Sequence, residues 1–239
     1  MPEASSDRKL IEPDLDWGKT IKPEIDAAIN RLLDRFVQSP FRHRCEHSLH
    51  CDLMDELQKS SDLASATIPL EDGFSTQLIH KEWPEPTSRE HKGKCGNIDV
   101  SVLTPLCDPL NTLSLKSFRA GIIRPYAAIE LGLDSSCRHL GNDYEKLQGS
   151  GIAATYVVHF SRRHSLDQEH AWQFITDPEP FLSNEHDVWP AFAAVFLVGN
   201  EIRIKRPDSC QIEIRLNPNS LRYREIDEDD ERLIRDYRL

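Results

Sequence analysis

No run in this chain approaches the ~20 consecutive apolar residues that a membrane span requires, and the N-terminal stretch MPEASSDRKLIEPDLDWGK has no apolar core of the kind a secretory leader carries. A soluble, cytoplasmic protein without membrane association is expected. The sequence also has no GxGxxG turn, no P-loop, no GxSxG elbow and no HExxH helix, so nucleotide-binding, serine-hydrolase and zincin chemistries lack their local signatures. Its six cysteines, Cys45, Cys51, Cys95, Cys107, Cys137 and Cys210, are scattered without a CxxC pair. A chain of 239 residues can bury a core without staples, and reduced thiols are expected. Excess positive charge is lacking as well: 29 Lys and Arg face 40 Asp and Glu, a net charge of -11. That excludes a protein that coats nucleic acid by bulk electrostatics and confines any phosphate-binding surface to a local patch on an acidic body.

What is present is a regular alternation of helix and strand signals. Residues 1–20 mix charge, Ser and Pro with little periodicity and read as an arm. Ile25, Ala28, Ile29, Leu32, Leu33 and Phe36 recur at helical spacing, with Lys22, Pro23 and Glu24 as a first turn. A second helix is expected over 42–59, with Leu49, Leu53, Met54 and Leu57 as its buried stripe. Strands are expected over 74–82, 97–103 and 126–133, then a helix over 141–148 and an apolar, parallel-type strand over 154–160. A polar helix over 166–175 and strands over 191–198, 201–205 and 211–216 follow, with Gly199 and Asn200 as a hairpin turn. The division is an arm, a single domain over 21–220 and a charged tail or short helix over 221–239. The fold class is α/β or α+β, with a central mixed sheet flanked by helices and a C-terminal β-rich extension.

Three acids stand out by position. Glu46 lies within about 20° of Leu53 and Leu57 on the core-facing stripe of the second helix. Asp99 and Glu130 each sit in mid-strand among strongly apolar neighbours. A carboxylate there is costly to bury unless it is paired, protonated or bound to a metal. Two of them on consecutive strands can converge on a divalent cation, and such an ion with water and a substrate phosphate supports in-line attack on a phosphodiester. The bland alternative is that the acids face solvent on a half-exposed sheet.

An acid-bearing helix (Glu46), a strand ending HKEWP (Glu82), a strand GNIDVSVL (Asp99), a strand AAIELGL (Glu130), a helix NDYEKL and a strand ATYVVHF, in that order, resemble the PD-(D/E)XK nuclease superfamily. The resemblance spans roughly residues 42–160. It implies a restriction-endonuclease-like fold, a Mg²⁺ or Mn²⁺ ion held by Glu46, Asp99 and Glu130, Glu82 in a supporting position, and a nucleic acid substrate, with DNA favoured over RNA. The departure is in the third-strand motif, where the family's Glu-x-Lys is Glu130, Leu131 and Gly132. Either the lysine's role has moved to another element or hydrolysis is lost and the domain serves as a binding or assembly subunit, with a protein partner or a second copy left open. Lys146, on the helix after the third strand, is the best-placed substitute, making Asp99, Glu130 and Lys146 the catalytic set. Lys81 is sent to the opposite strand face and Lys94 lies in a loop.

Arg162 and Arg163, just after a core strand, are the nucleic-acid-binding candidates; surface charges balancing nearby acids are the competing reading. His43, His47 and His50 fall near one helical face, a spacing that can bind zinc, but no second Cys or His pair accompanies them and an ordinary histidine-rich helix is expected.

Overall fold

The computed structural model describes residues 10–86, 96–107, 112–177 and 190–217. Helix α1 (Leu15–Gln38) starts well before the turn at Pro23 that the sequence suggests. Asp14 caps it, its Oδ1 accepting from the N–H groups of Asp16 and Trp17. Gly18 then lies so close to the Tyr126 ring that a Cβ there would overlap it. The expected arm over 1–20 is therefore corrected from residue 10 onward: Ile11 bridges Ile123, and the Asp14 N–H donates to Thr104 Oγ1 at 2.9 Å. Cap and bridge supply the local order that the missing apolar periodicity does not signal. Residues 1–9 and the expected tail over 221–239 lie outside the described residues, as does Lys94.

A 3₁₀ turn (Pro40–Arg42) leads to helices α2 (Glu46–Leu57) and α3 (Ser61–Ser65). The stretch expected as one strand over 74–82 is split at the buried Leu78. Strand β1 (Thr67–Pro69) pairs with β2 (Ser75–Gln77) in a small separate sheet, and β3 (Ile79–Pro84) joins the main one. Then follow β4 (Asn97–Val102), α4 (Leu115–Arg119), β5 (Ala127–Leu133), α5 (Cys137–Gln148), β6 (Ala154–Ser161), α6 (Leu166–Thr176), β7 (Ala191–Val198), β8 (Glu201–Lys205) and β9 (Ile212–Leu216).

The main sheet is mixed, seven strands in the order β3-β4-β5-β6-β7-β8-β9. Only β5, β6 and β7 run parallel, because α5 and α6 carry the chain back between them. The outer pairs are antiparallel, and Gly199, with φ +57°, makes the tight turn from β7 to β8.

Alternation along the strands builds the two cores that flank the main sheet. Ile129, Leu131, Tyr156, Val158 and Phe160 pack with the apolar faces of α1 and α2 on one side. Ala128, Val157, Phe192, Ala194 and Phe196 pack with α5 and α6 on the other. The grip of α2 on α1 is partly ionic: buried Glu56 accepts from Arg31 Nε at 2.8 Å, pairs with Arg35, and meets Lys59 Nζ at 2.7 Å. A buried acid with three cationic partners fixes how α2 sits, and with it the first turn of that helix. No helix among the described residues is long and apolar enough to cross a membrane.

Candidate metal centre

The site forms where β4 and β5 part. Their ladder runs through Val102↔Ala127, Ser101↔Ala128 and Val100↔Ile129 and then stops. Beyond it the Leu131 N–H donates to the Asp99 side chain, Oδ2 at 2.9 Å. A carboxylate has taken the place of a backbone carbonyl, which holds the fork open and pins Asp99 in it. On the β3 side the ladder skips from Lys81↔Val100 to Trp83↔Ile98, with Glu82 between them at φ +55°. Ile98 consequently joins the α5/α6 core while Val100 and Val102 join the α1/α2 core, although unbroken alternation would put all three on one face. That local twist lets Asp99 meet side chains of α2.

Helix α2 begins at Glu46, later than the sequence suggests, so Glu46 occupies its first turn with about a third of its side chain exposed. Glu46 Oε2 accepts from the Leu133 N–H at 3.4 Å. One turn on, at i+4, His50 shares the face with Glu46. His50 Nε2 lies 4.0 Å from Glu46 Oε1 and 3.6 Å from Asp99 Oδ2. One ligand atom from each of Glu46, His50 and Asp99 falls within 4.8 Å of the others, so the three can hold a metal ion. Ligand atoms around a bound first-row cation sit about 3 Å apart, so binding would draw the three side chains closer together.

The electrostatics fit such an ion. Burial, with the Asp99 charge adding, holds the Glu46 carboxyl above its usual range. Burial pushes the His50 imidazole down, against the pull of Asp99, and so favours the neutral ring that a metal requires. Neither His50 nitrogen has a hydrogen-bond partner among the described residues, although the side chain is only 5% exposed. Unsatisfied buried polar groups cost about 1–3 kcal/mol, and coordination would satisfy one of them.

Glu130 is not in this triple. It is buried on β5, facing α5, and its Oε2 accepts from Lys146 Nζ at 2.8 Å while Oε1 has no hydrogen-bond partner among the described residues. Burial first, then the Asp99 charge, raises its carboxyl well above the normal range, and Lys146 opposes both. Lys146 also donates to the Asn97 carbonyl oxygen, two residues before Asp99, so its ammonium is anchored beside the fork.

Gly132 leaves no gap beside Glu130. A Cβ there would stand 2.8 Å from His159 Nδ1. His159, fully buried on β6, fills the space a third-strand lysine would need, with its Nε2 3.3 Å from Gln168 Oε1. Burial lowers its imidazole to about 4.

The remaining expected residues separate. Glu82 is exposed on β3 with Asn97 Nδ2 at 3.4 Å, and its charge is felt at His50. Arg162 is engaged within the fold: its guanidinium meets Asp134 Oδ2, 2.8 Å from Nε, and its Nη1 donates to the His43 carbonyl oxygen at 2.7 Å. Arg163 is exposed. Of the three histidines on the presumed helical face, His43 precedes the helix and stacks on Phe36 at 6.0 Å, His47 meets Lys81, and His50 alone enters the cluster.

Sequence reasoning left His50 out of the metal set, and it missed His139 and Asp143. They lie on the face of α5 that carries Lys146, and spacing of i, i+4 and i+7 from His139 was the signal available. Comparison of the chain with models of known protein families, with curated proteins and with solved structures finds no match to any of them.

Proposed function

We propose that this protein is a metal-dependent hydrolase of nucleic acid phosphodiester bonds, with DNA favoured over RNA. The observation that carries the reading is the meeting, at one strand fork, of Glu46, His50 and Asp99 with an ammonium held by Glu130. In this reading Glu46, His50 and Asp99 bind the cation. A bound divalent ion supplies Lewis acidity and a more acidic water. Glu130 positions Lys146, and Lys146 offsets the growing charge on the attacked phosphate, the task assigned elsewhere to a third-strand lysine. An imidazole beside two carboxylates favours Mn²⁺ over Mg²⁺, since Mg²⁺ prefers an all-oxygen shell.

The second reading is a catalytically silent domain that binds a partner. It is favoured by the enclosure of Lys146, whose side chain is 11% exposed and pairs with Glu130 and, at 3.9 Å, with Glu85. Incubation with single- and double-stranded DNA and RNA in Mn²⁺ or Mg²⁺ separates the two. Cleavage that disappears in Asp99→Asn supports the enzyme. Binding of a partner or nucleic acid with no cleavage of any substrate replaces it with the silent domain.

A further inference from the structure

The α5 face that carries Lys146 holds two groups to which the hydrolase reading gives no task. His139 Nε2 lies 3.3 Å from Asp143 Oδ2. The two differ sharply in exposure, 48% for the His139 side chain and 12% for Asp143, so a buried acid backs a ring that reaches solvent. The first turn that carries the ring is fixed: the Ser136 hydroxyl oxygen accepts from the His139 N–H at 3.2 Å.

Position links the pair to the metal-capable triple: the Leu133 N–H that binds Glu46 lies six residues before His139, and Lys146, farther along the same α5 face, reaches Glu130 and the Asn97 carbonyl oxygen. Burial, opposed by His139 and Lys146 and reinforced by Asp99 and Glu46, pushes the Asp143 carboxyl up to about 6. Charge on His139 in turn favours the ionised form of Glu46. His139 marks the solvent-facing end of the α5 face whose other end, at Lys146, borders Glu130 and Asn97. Lys146 is spoken for at the inner end by Glu130 and the Asn97 carbonyl, and His50 is enclosed. Among the described residues of the site, His139 alone combines a transferable proton, access to solvent and a carboxylate that orients it.

Resting on the phosphodiester reading, we propose that His139, oriented by Asp143, is the general acid that protonates the departing oxygen. The oxygen of a water molecule forms the new bond to phosphorus, and the proton it sheds leaves to solvent. The bond from phosphorus to the departing alcohol breaks with its electron pair on oxygen, and that oxygen takes the proton from Nδ1 of the imidazolium. The Nε2–H stays with Asp143. The neutral ring that remains takes a proton from solvent before the next turnover. His139 is then a catalytic residue and Asp143 a positioning one.

A general acid matters only when the leaving group needs a proton, and that gives a test a structural role cannot mimic. Turnover with Mn²⁺ is measured on a single-stranded deoxyoligonucleotide, which expels a poor alkoxide, and on bis(p-nitrophenyl) phosphate, which expels a stable phenolate. His139→Ala and His139→Gln are expected to lower kcat on the oligonucleotide by about 10²–10⁴-fold and on the nitrophenyl ester by less than about tenfold. Asp143→Asn is expected to show the same selectivity at smaller size. Because the His139 ring is half exposed, its two variants should melt with the wild type. Equal losses on both substrates, or no loss on either, overturn the assignment and leave the hydrolase reading standing. A wild-type protein that turns over neither substrate overturns both.

Discussion

His50 Nε2 faces Asp99 Oδ2 across 3.6 Å, with no hydrogen bond to either ring nitrogen among the described residues. A buried imidazole held beside a carboxylate at that separation can share a metal ion with it. Millimolar Mn²⁺ should therefore raise the melting temperature of the wild-type protein by mass action, the native state binding the ion and the unfolded chain far less. His50→Ala should abolish most of that rise. A melting curve that Mn²⁺ leaves unmoved in both proteins contradicts the site.

The Glu130–Lys146 pair is nearly sealed, with side chains 3% and 11% exposed. Removing one partner of such a pair leaves an uncompensated buried charge and typically destabilises by about 3–5 kcal/mol, less where the survivor can take up a proton, as the raised Glu130 can. Lys146→Ala should accordingly weaken the fold by about 1–3 kcal/mol in urea titration. The double variant Glu130→Gln, Lys146→Met should recover most of that loss while remaining inactive. Activity in the double variant equal to wild type would remove Lys146 from the proposed chemistry.

Gly132 and His159 are in van der Waals conflict for any larger residue at 132, since a Cβ would lie 2.8 Å from the ring nitrogen. Gly132→Ala should cost about 1–3 kcal/mol, as overpacked cores do. Paired with His159→Ala, which opens the space, its effect should shrink markedly in a double-mutant cycle. Gly132→Lys should not restore a third-strand lysine, because His159 already occupies its path. Additive effects of the two alanine substitutions would show that they do not share the space.

His159 also predicts a pH dependence. Its ring is held neutral, with its pKa lowered to about 4 against about 6.5 in the unfolded chain. The unfolded state therefore binds the extra proton first, and this stability is present above about pH 6.5 and lost as pH falls toward 4, on the order of 3 kcal/mol over the window. The carboxyls of Glu46, Glu130 and Asp143 are shifted upward and work in the opposite sense, so the comparison must be by difference. Wild type minus His159→Gln, followed by urea denaturation from pH 7 to pH 4, should fall with pH. A flat difference contradicts the burial argument.

Much of the architecture was legible because it is written in periodicity. The boundaries of β4, β5, β6, β7 and β8 follow from alternation and from apolar runs, and Asp99 and Glu130 were conspicuous because acids are rare among such neighbours. His50 was hidden by company: set between His47 and Cys51 it read as part of a histidine-rich helix, although its i+4 relation to Glu46 was available. The start of α1 escaped because its first two turns are held by a cap and by Gly18 against Tyr126 rather than by an apolar stripe. The contact of Gly132 with His159 crosses from β5 to β6, and no local pattern reports a cross-strand neighbour before the register is known. The pairing of Arg162 with Asp134, 28 positions away, is likewise written in no local pattern.

The most direct test of the central claim is calorimetric titration of the wild-type protein and of Glu46→Ala, His50→Ala and Asp99→Asn with Mn²⁺. One ion bound per wild-type chain, with affinity lost in each of the three variants and kept in His47→Ala, is the predicted result. No heat of binding in the wild type, or binding that survives all three substitutions, contradicts the account.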